Sequence, residues 1–321
     1  MHVKAALQSW ARARHCRRTA SCLGAHAGLC SAIRCMTGHE VQAKEYIRLI
    51  RFIINQRIGA QQTRLTADEA ERDTDMANIK TEETNYAAGG IALRGCISWD
   101  EDIQGKRPGV LVVHEFWGNN AYPRKRAEML AELGYTAMSI DMYGDGKTVD
   151  HPQDAHQLMT TALADLPGCR DRFNAAMTRI KAHVTVDAEN IAAIGYCFGG
   201  GIVLHMARYG ADLKAVASFH GSLPLALAPA AQGIKITARV AAYNGEDDSF
   251  FPAETVAACK REMEQAGADY QFINFPTCLH GFSNPAATAR GDQFKLPLKY
   301  NALADQSSWC HMQLLFESVF K

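Results

Sequence analysis

The chain has 321 residues, of which 47% are hydrophobic, with 34 basic side chains balanced by 34 acidic ones. Zero net charge offers no basic surface for nucleic acid or an anionic membrane, and no apolar run reaches the ~18 residues that a membrane-crossing helix needs. The ten cysteines include no C-x-x-C pair, which argues against structural zinc or a dithiol redox motif, and a core this large needs no disulfide staples; reduced, intracellular thiols are expected.

Residues 1–75 differ from the rest. Their first acidic residue is Glu40, preceded by Lys4, Arg12, Arg14, Arg17, Arg18 and Arg34. An acid-free, Arg-rich and Ala-rich start resembles an organelle transit segment. Residues 45–58 have the pattern of one amphipathic helix, and 63–75 read as a polar linker. The alternative is an over-extended reading frame, with Met76 as the natural start of a compact domain. On either reading 1–75 is an N-terminal extension, disordered or a misassigned start or targeting segment, and 76–321 is the folded domain.

From residue 76 apolar strands alternate with amphipathic helices. Strands are predicted at 91–99, 109–116, 135–143, 190–197, 214–221, 236–245 and 269–276. Helices are predicted at 122–134, 169–183, 198–209, 252–267 and near 300–320. GVLVVHEF and NIAAIGYC are nearly continuous apolar runs, as strands buried on both faces of a parallel sheet should be. The expected fold class is therefore α/β, a mostly parallel, doubly wound sheet with helices on both faces.

Reactive groups of such sheets gather at the carboxyl ends of the strands. Four segments end there: HEFWG, GYCFGG, NGEDDSFFP and CLHGF. In the second, Gly195-Tyr196-Cys197-Phe198-Gly199 matches the G-x-S-x-G elbow of α/β-hydrolases with sulfur in place of oxygen. The flanking glycines remove clashes at a sharp strand-to-helix turn, and a helix start favours thiolate. Against a catalytic Cys197 stands a buried structural cysteine in a glycine-rich turn. A nucleophile needs a base and the base an orienter, in the chain order nucleophile, acid, histidine. Asp248 and His280 fit that order. Asp247 is the rival acid, with Asp248 preferred because Gly245-x-x-Asp248 runs on to Phe251-Pro252 as hydrolase turns do. His311 is a weaker base candidate, lying inside the last helical pattern. Glu115 ends the strand expected beside the nucleophile strand, where a buried carboxylate requires a partner. The backbone N–H groups of Phe116 and Phe198 are the expected oxyanion hole. Trp117, Tyr143, Lys147 and His220 are candidate pocket residues.

Taken together, VLVVHEFWGNN, SIDMYG, GYCFGGG, NGEDDSFFP and LHGF make residues 86–320 resemble the dienelactone hydrolase family. The resemblance implies an α/β-hydrolase fold, a Cys197–His280–Asp248 triad and cleavage of an ester or lactone through a thioester acyl-enzyme. It also implies that Glu115 holds the resting thiol in an inactive orientation until substrate binds. Members that open dienelactones carry an arginine just beyond the D-x-Y segment and another four residues after the catalytic histidine. Here Lys147 is the nearest cation after Tyr143, and Asn284 takes the second position. An uncharged ester, a lactone or a thioester is then as plausible as a dienelactone. Thioesterase or peptidase chemistry on the same residues, and a non-catalytic binding or redox protein, are the competing readings. No cofactor and no metal are expected. The expected partner is a small-molecule substrate, with no nucleic acid and no membrane. The expected state is a monomer in the cytoplasm, or in an organelle if residues 1–40 are a transit peptide.

Overall fold

The computed structural model describes residues 77–223 and 235–320. The expectations for the N-terminal extension, Met76 included, lie outside these residues.

The described residues form an 8-stranded sheet in the order β1-β2-β4-β3-β5-β6-β7-β8. Its strands are β1 (Ile79–Ala88), β2 (Ile91–Asp100), β3 (Arg107–Val113), β4 (Thr136–Ile140), β5 (Val186–Tyr196), β6 (Ala215–Phe219), β7 (Arg239–Gly245) and β8 (Tyr270–Phe275). β1 and β2 pair antiparallel, as do β2 and β4, and every pairing from β4 across to β8 is parallel. The helices are α1 (Ala121–Glu132), α2 (Pro152–Leu163), α3 (Leu166–Lys181), α4 (Phe198–Arg208), α5 (Ala253–Gln265), α6 (Ala287–Phe294) and α7 (Ala302–Val319). Order and directions are those of an α/β-hydrolase sheet.

The side-chain alternation of a strand explains the continuous apolar runs. Val110 and Val112 of β3 and Ala192 and Ile194 of β5 face α1 and α7, meeting Leu130, Met312 and Phe316. Leu111, Val113 and Ala193 face the other side, against Phe173 and Ile180 of α3, Ile202 of α4 and Met263 of α5. Each run therefore serves two cores, and a sheet covered on both faces follows.

Three elements depart from the sequence-based expectation. β1 is a strand although only Thr84 of its ten residues is buried. It is an edge strand held by a full antiparallel ladder to β2, and Lys80, Glu82 and Glu83 keep its outer edge charged, which discourages pairing with another chain. α2 carries an apolar stripe at helical spacing, Ala155, Leu158, Met159, Ala162 and Leu163, that is absent from the elements predicted above, whereas α6 buries only Ala287 and Gly291 and has no stripe to read. Two predicted strands also stop three residues early. β3 ends at Val113, which leaves Glu115 in the following loop. β4 ends at Ile140, because the Asp141 carboxylate draws the next turn around itself, accepting from the amides of Tyr143, Gly144 and Gly146 at 2.8, 2.9 and 2.8 Å.

A buried ion pair ties α1 to α7 behind the carboxyl edge of the sheet. Arg126 donates to Asp305 Oδ1 at 2.6 Å and to the Ser283 carbonyl at 2.6 Å. Its guanidinium also lies 5.2–5.5 Å from the ring centres of Tyr122, Tyr196 and Trp309. Removing one partner of a buried pair leaves an uncompensated charge, a loss of about 3–5 kcal/mol. Asp305→Ala is therefore expected to lower the unfolding free energy by about 3 kcal/mol, read by urea denaturation. A loss below about 1 kcal/mol would mean that the aromatic rings and the Ser283 carbonyl suffice to hold Arg126.

Candidate active site

β5 ends at Tyr196 and α4 begins at Phe198, so Cys197 alone makes the turn. Its backbone sits at φ 53°, ψ −116°, a conformation that side chains rarely adopt and that persists only where its surroundings hold it. The glycines explain how the turn fits. A Cβ on Gly195 would lie 2.1 Å from the Gly199 carbonyl oxygen, and one on Gly199 would lie 2.4 Å from the Val113 carbonyl oxygen. With hydrogen in those places, the Cys197 amide reaches the Phe219 carbonyl at 3.0 Å and the Cys197 carbonyl accepts from Ser222 at 2.9 Å. The thiol is thereby aimed at the rim above β5, with α4 starting directly behind it.

Two further strand ends bring the partners. His280 follows β8 and Asp248 follows β7. Both are buried, 5% and 3% exposed, and His280 Nδ1 lies 2.7 Å from Asp248 Oδ2. Asp248 also accepts from the Phe250 amide at 3.0 Å, which fixes the carboxylate. Asp247, the rival acid, is exposed. With Nδ1 committed to Asp248, Nε2 is the nitrogen left for the thiol. Burial alone would lower the His280 pKa, but the negative charge of Cys197, the Asp248 hydrogen bond and a hydrogen bond with Cys197 outweigh it and raise the imidazole to about 10. The imidazole is thus held protonated between two acids.

The loop after β3 carries the expected oxyanion donor, and a residue that sequence reasoning did not assign holds it. His114 is fully buried. Burial pushes its pKa down, so the ring is neutral and its nitrogens divide their roles. Nε2 accepts from the Met142 amide at 3.2 Å, which leaves the proton on Nδ1, where it is donated to the Glu115 carbonyl; the tautomer is assigned from these partners. The Gly118 amide reaches the same carbonyl at 3.2 Å. In a planar trans peptide the C=O and the following N–H point opposite ways, so anchoring the Glu115 oxygen sets the direction of the Phe116 N–H. The next carbonyl, of Phe116, accepts from the Tyr143 hydroxyl at 3.1 Å. Tyr143 in turn is positioned by its amide on Asp141 and by its ring, stacked 5.5 Å from Phe198. The other donor, the Phe198 amide, is the first of its helix and has no intrahelical partner.

Glu115 departs from what the resemblance implies. Its carboxylate accepts from Asn284 Nδ2 at 2.6 Å, while the thiol pairs with His280. Burial raises the Glu115 pKa, opposed by the Asn284 hydrogen bond and then by the charges of His280 and Arg290. The residue that stands where the family has its second arginine thus holds the glutamate.

A cavity at this rim is lined by Cys197, His280, Glu115, Phe116 and Trp117, among others. The remaining pocket candidates lie elsewhere. Tyr143 is buried behind the loop, as described. The Lys147 ammonium is directed to Asp145 at 3.6 Å, with more than half of its side chain exposed. His220 is fully buried at φ 39°; its Nε2 lies 2.8 Å from the Ser283 hydroxyl and its ring packs edge-on against His280, 5.1 Å between centres. It braces the base rather than touching the cavity, and burial together with the His280 charge drives its own pKa well down.

A doubly wound sheet with a strained thiol elbow and a His–Asp pair on neighbouring strand ends defines the α/β-hydrolase class. Within that class, the chain belongs to the dienelactone hydrolase family, whose sequence profile matches residues 94–320. It is similar to P91, a dienelactone hydrolase-like promiscuous phosphotriesterase from metagenomic libraries, at 33% identity, with a TM-score of 0.70 over 76% of this chain and 100% of that one. The solved structure of m3DLH is 35% identical, with a TM-score of 0.71 over the same shares. The protein usf of Aquifex pyrophilus is 27% identical over 207 residues, 62% of this chain and 85% of its own. Among the described residues no helix is long and apolar enough to cross a membrane.

Proposed function

We propose that this protein hydrolyses a carboxylic ester or lactone with Cys197 as nucleophile, His280 as acid and base, and Asp248 as orienter. The observation that carries the reading is the 2.7 Å His280–Asp248 bond, made at the cavity that also holds the sulfur of the strained elbow.

The proton of Cys197 already rests on His280 Nε2, so the attacking group is the thiolate. The thiolate attacks the carbonyl carbon, a C–S bond forms, and the carbonyl electron pair moves to oxygen, where the Phe116 and Phe198 amides receive the charge. The tetrahedral species collapses, the C–O bond to the alcohol breaks, and His280 returns its proton to the departing oxygen. Asp248 stabilises the charged imidazole throughout and keeps its tautomer. Neutral His280 then takes a proton from water, the hydroxide attacks the thioester, and the C–S bond breaks to restore the thiolate. From a lactone the alcohol stays attached to the acyl chain and must be kept from re-closing the ring.

A panel of p-nitrophenyl esters, lactones, acyl-thioesters and, given the likeness to a phosphotriesterase, phosphotriesters tests the substrate class. Rapid quenching followed by mass spectrometry should find the acyl group on the peptide containing Cys197. Turnover of an ester without any such adduct would refute the thioester.

The buried Glu115 carboxylate sits in the cavity of the thiolate and opposes its charge. Glu115→Gln is expected to speed iodoacetamide alkylation of Cys197 at neutral pH and to move its pH profile towards acid. An unchanged rate and profile would remove Glu115 from control of the thiol.

A further inference from the structure

We propose that Ser283 is a positioning residue of this site: paired with His220, it fixes the ring against which the His280 imidazole packs and so aims Nε2 at the thiol; its effect on turnover rests on the hydrolase reading above. Ser283 belongs to the same loop as His280 and is fully buried. Its hydroxyl lies 2.8 Å from His220 Nε2 and 2.9 Å from the Tyr122 hydroxyl. Its carbonyl accepts from the Tyr122 hydroxyl at 3.0 Å and from Arg126 Nη2 at 2.6 Å. Tyr122 and Arg126 come from α1, whereas His220 directly follows β6. The main chain of Ser283 is thus held from the helix, and its hydroxyl is the contact that reaches His220.

The base needs a fixed neighbour. One nitrogen of His280 is anchored on Asp248, and the direction of the other depends on how the ring tilts about that bond. Three rings pack edge-on against it, those of Phe250, Phe251 and His220, at 5.1, 5.7 and 5.1 Å between centres. Phe250 is 46% exposed and can yield, whereas His220 is fully buried. The orientation of the His220 ring rests on Ser283. Its Nδ1 is buried without a hydrogen-bond partner, so the bond between Nε2 and the Ser283 hydroxyl is the one that opposes rotation of the ring. A hydroxyl both donates and accepts, so it satisfies either tautomer of a neutral imidazole and adds no charge. That neutrality matters, because a second cation 5.1 Å from His280 would loosen the proton on Nε2. The charges that act on His280 are then those of Cys197 and Asp248, and Glu115 and Arg290 are the other ionisable residues lining the cavity.

Ser283→Ala removes the hydroxyl and keeps the main-chain bonds to Tyr122 and Arg126. With the imidazole less well aimed, the thiolate loses part of its counter-charge. Iodoacetamide alkylation of Cys197 should therefore slow about five- to tenfold near pH 6 and hold its rate at alkaline pH, where the thiol ionises regardless. In ester hydrolysis kcat should fall about ten- to a hundredfold, the scale for a reacting group displaced by about an ångström, with KM kept within about twofold. His220→Phe removes the same bond from its other end, so the double variant should lose no more than the larger single one. Tyr122→Phe, which loosens the same loop without touching His220, should lower the thermal midpoint and leave the alkylation profile in place. An unchanged profile in a folded Ser283→Ala variant overturns the assignment, and so does an equal change in Tyr122→Phe, which would mark general loosening. If Ser283→Ala misfolds, an unchanged profile in His220→Phe overturns it instead. If no ester is turned over but the acid limb of the profile moves, the positioning role stands and the hydrolase reading fails. If esters are turned over while profile and kcat both hold in Ser283→Ala, the hydrolase reading stands and Ser283 has no such role.

Discussion

Cys197→Ala is expected to reduce ester hydrolysis by at least about a thousandfold in kcat/KM, the scale of loss when the nucleophile of a covalent mechanism is removed. The variant keeps the backbone that makes the site. Alanine has the same Cβ as cysteine, so the strain at φ 53° is unchanged, and the amide and carbonyl bonds of residue 197 to Phe219 and Ser222 involve main-chain atoms only. The thermal midpoint should therefore stay close to that of the wild type while activity disappears. What remains would be background from the oxyanion amides and substrate binding. Loss of sulfur also removes the charge that acts most strongly to keep His280 protonated, so the imidazole of the variant should titrate at lower pH, a shift that NMR of the ring can follow. A variant retaining more than about a tenth of the activity would mean that the carbonyl is attacked by something other than Cys197.

Asp248→Asn is expected to lower kcat by about a thousand- to ten-thousandfold, because an amide that donates to Nδ1 stabilises the wrong tautomer and turns Nε2 into a donor that cannot take the thiol proton. The pH dependence carries the same information. The folded-state pKa of His280, about 10, lies above the ordinary histidine value near 6.5. A proton bound more tightly in the folded state stabilises it; that contribution is full below about pH 6.5 and is lost as the pH rises towards about 10. Asp248 supplies part of that shift through its hydrogen bond. Wild type should therefore exceed Asp248→Asn in stability most at and below neutral pH, with the gap closing as the pH approaches 10. A gap independent of pH would place the Asp248 contribution in its bond to the Phe250 amide and not in the imidazole.

Much of the fold is legible because its signals are local. The runs of β3 and β5 are apolar at both even and odd positions, which only a strand covered on both faces requires. The elbow is legible for a similar reason: Gly195 and Gly199 stand where any Cβ would strike a carbonyl oxygen, and the thiol sits at the centre of the turn they permit. α2 has a helical period in Ala155, Leu158, Met159, Ala162 and Leu163 that the expected elements leave out. β1 and α6 are not legible, because one-sided pairing and shallow docking bury too little to leave a period in the chain. For the same reason Arg290, carried on α6, has no place among the pocket residues expected from sequence, whereas Lys147 and His220 are expected there only by proximity to motifs.

Strand–helix alternation and the glycine turn with its sulfur can be read along the chain because each rests on contacts within a few residues, and the acid and the histidine can be read from their order after the elbow. Which acid meets His280, the Asn284 bond to Glu115, the hold of His114 and Tyr143 on the loop amides, and the reach of Arg290 to the cavity emerge in three dimensions alone. Those outcomes depend on where separate strand ends converge, and hydrogen-bond geometry, which distinguishes 2.7 Å from 3.6 Å, has no trace in residue spacing.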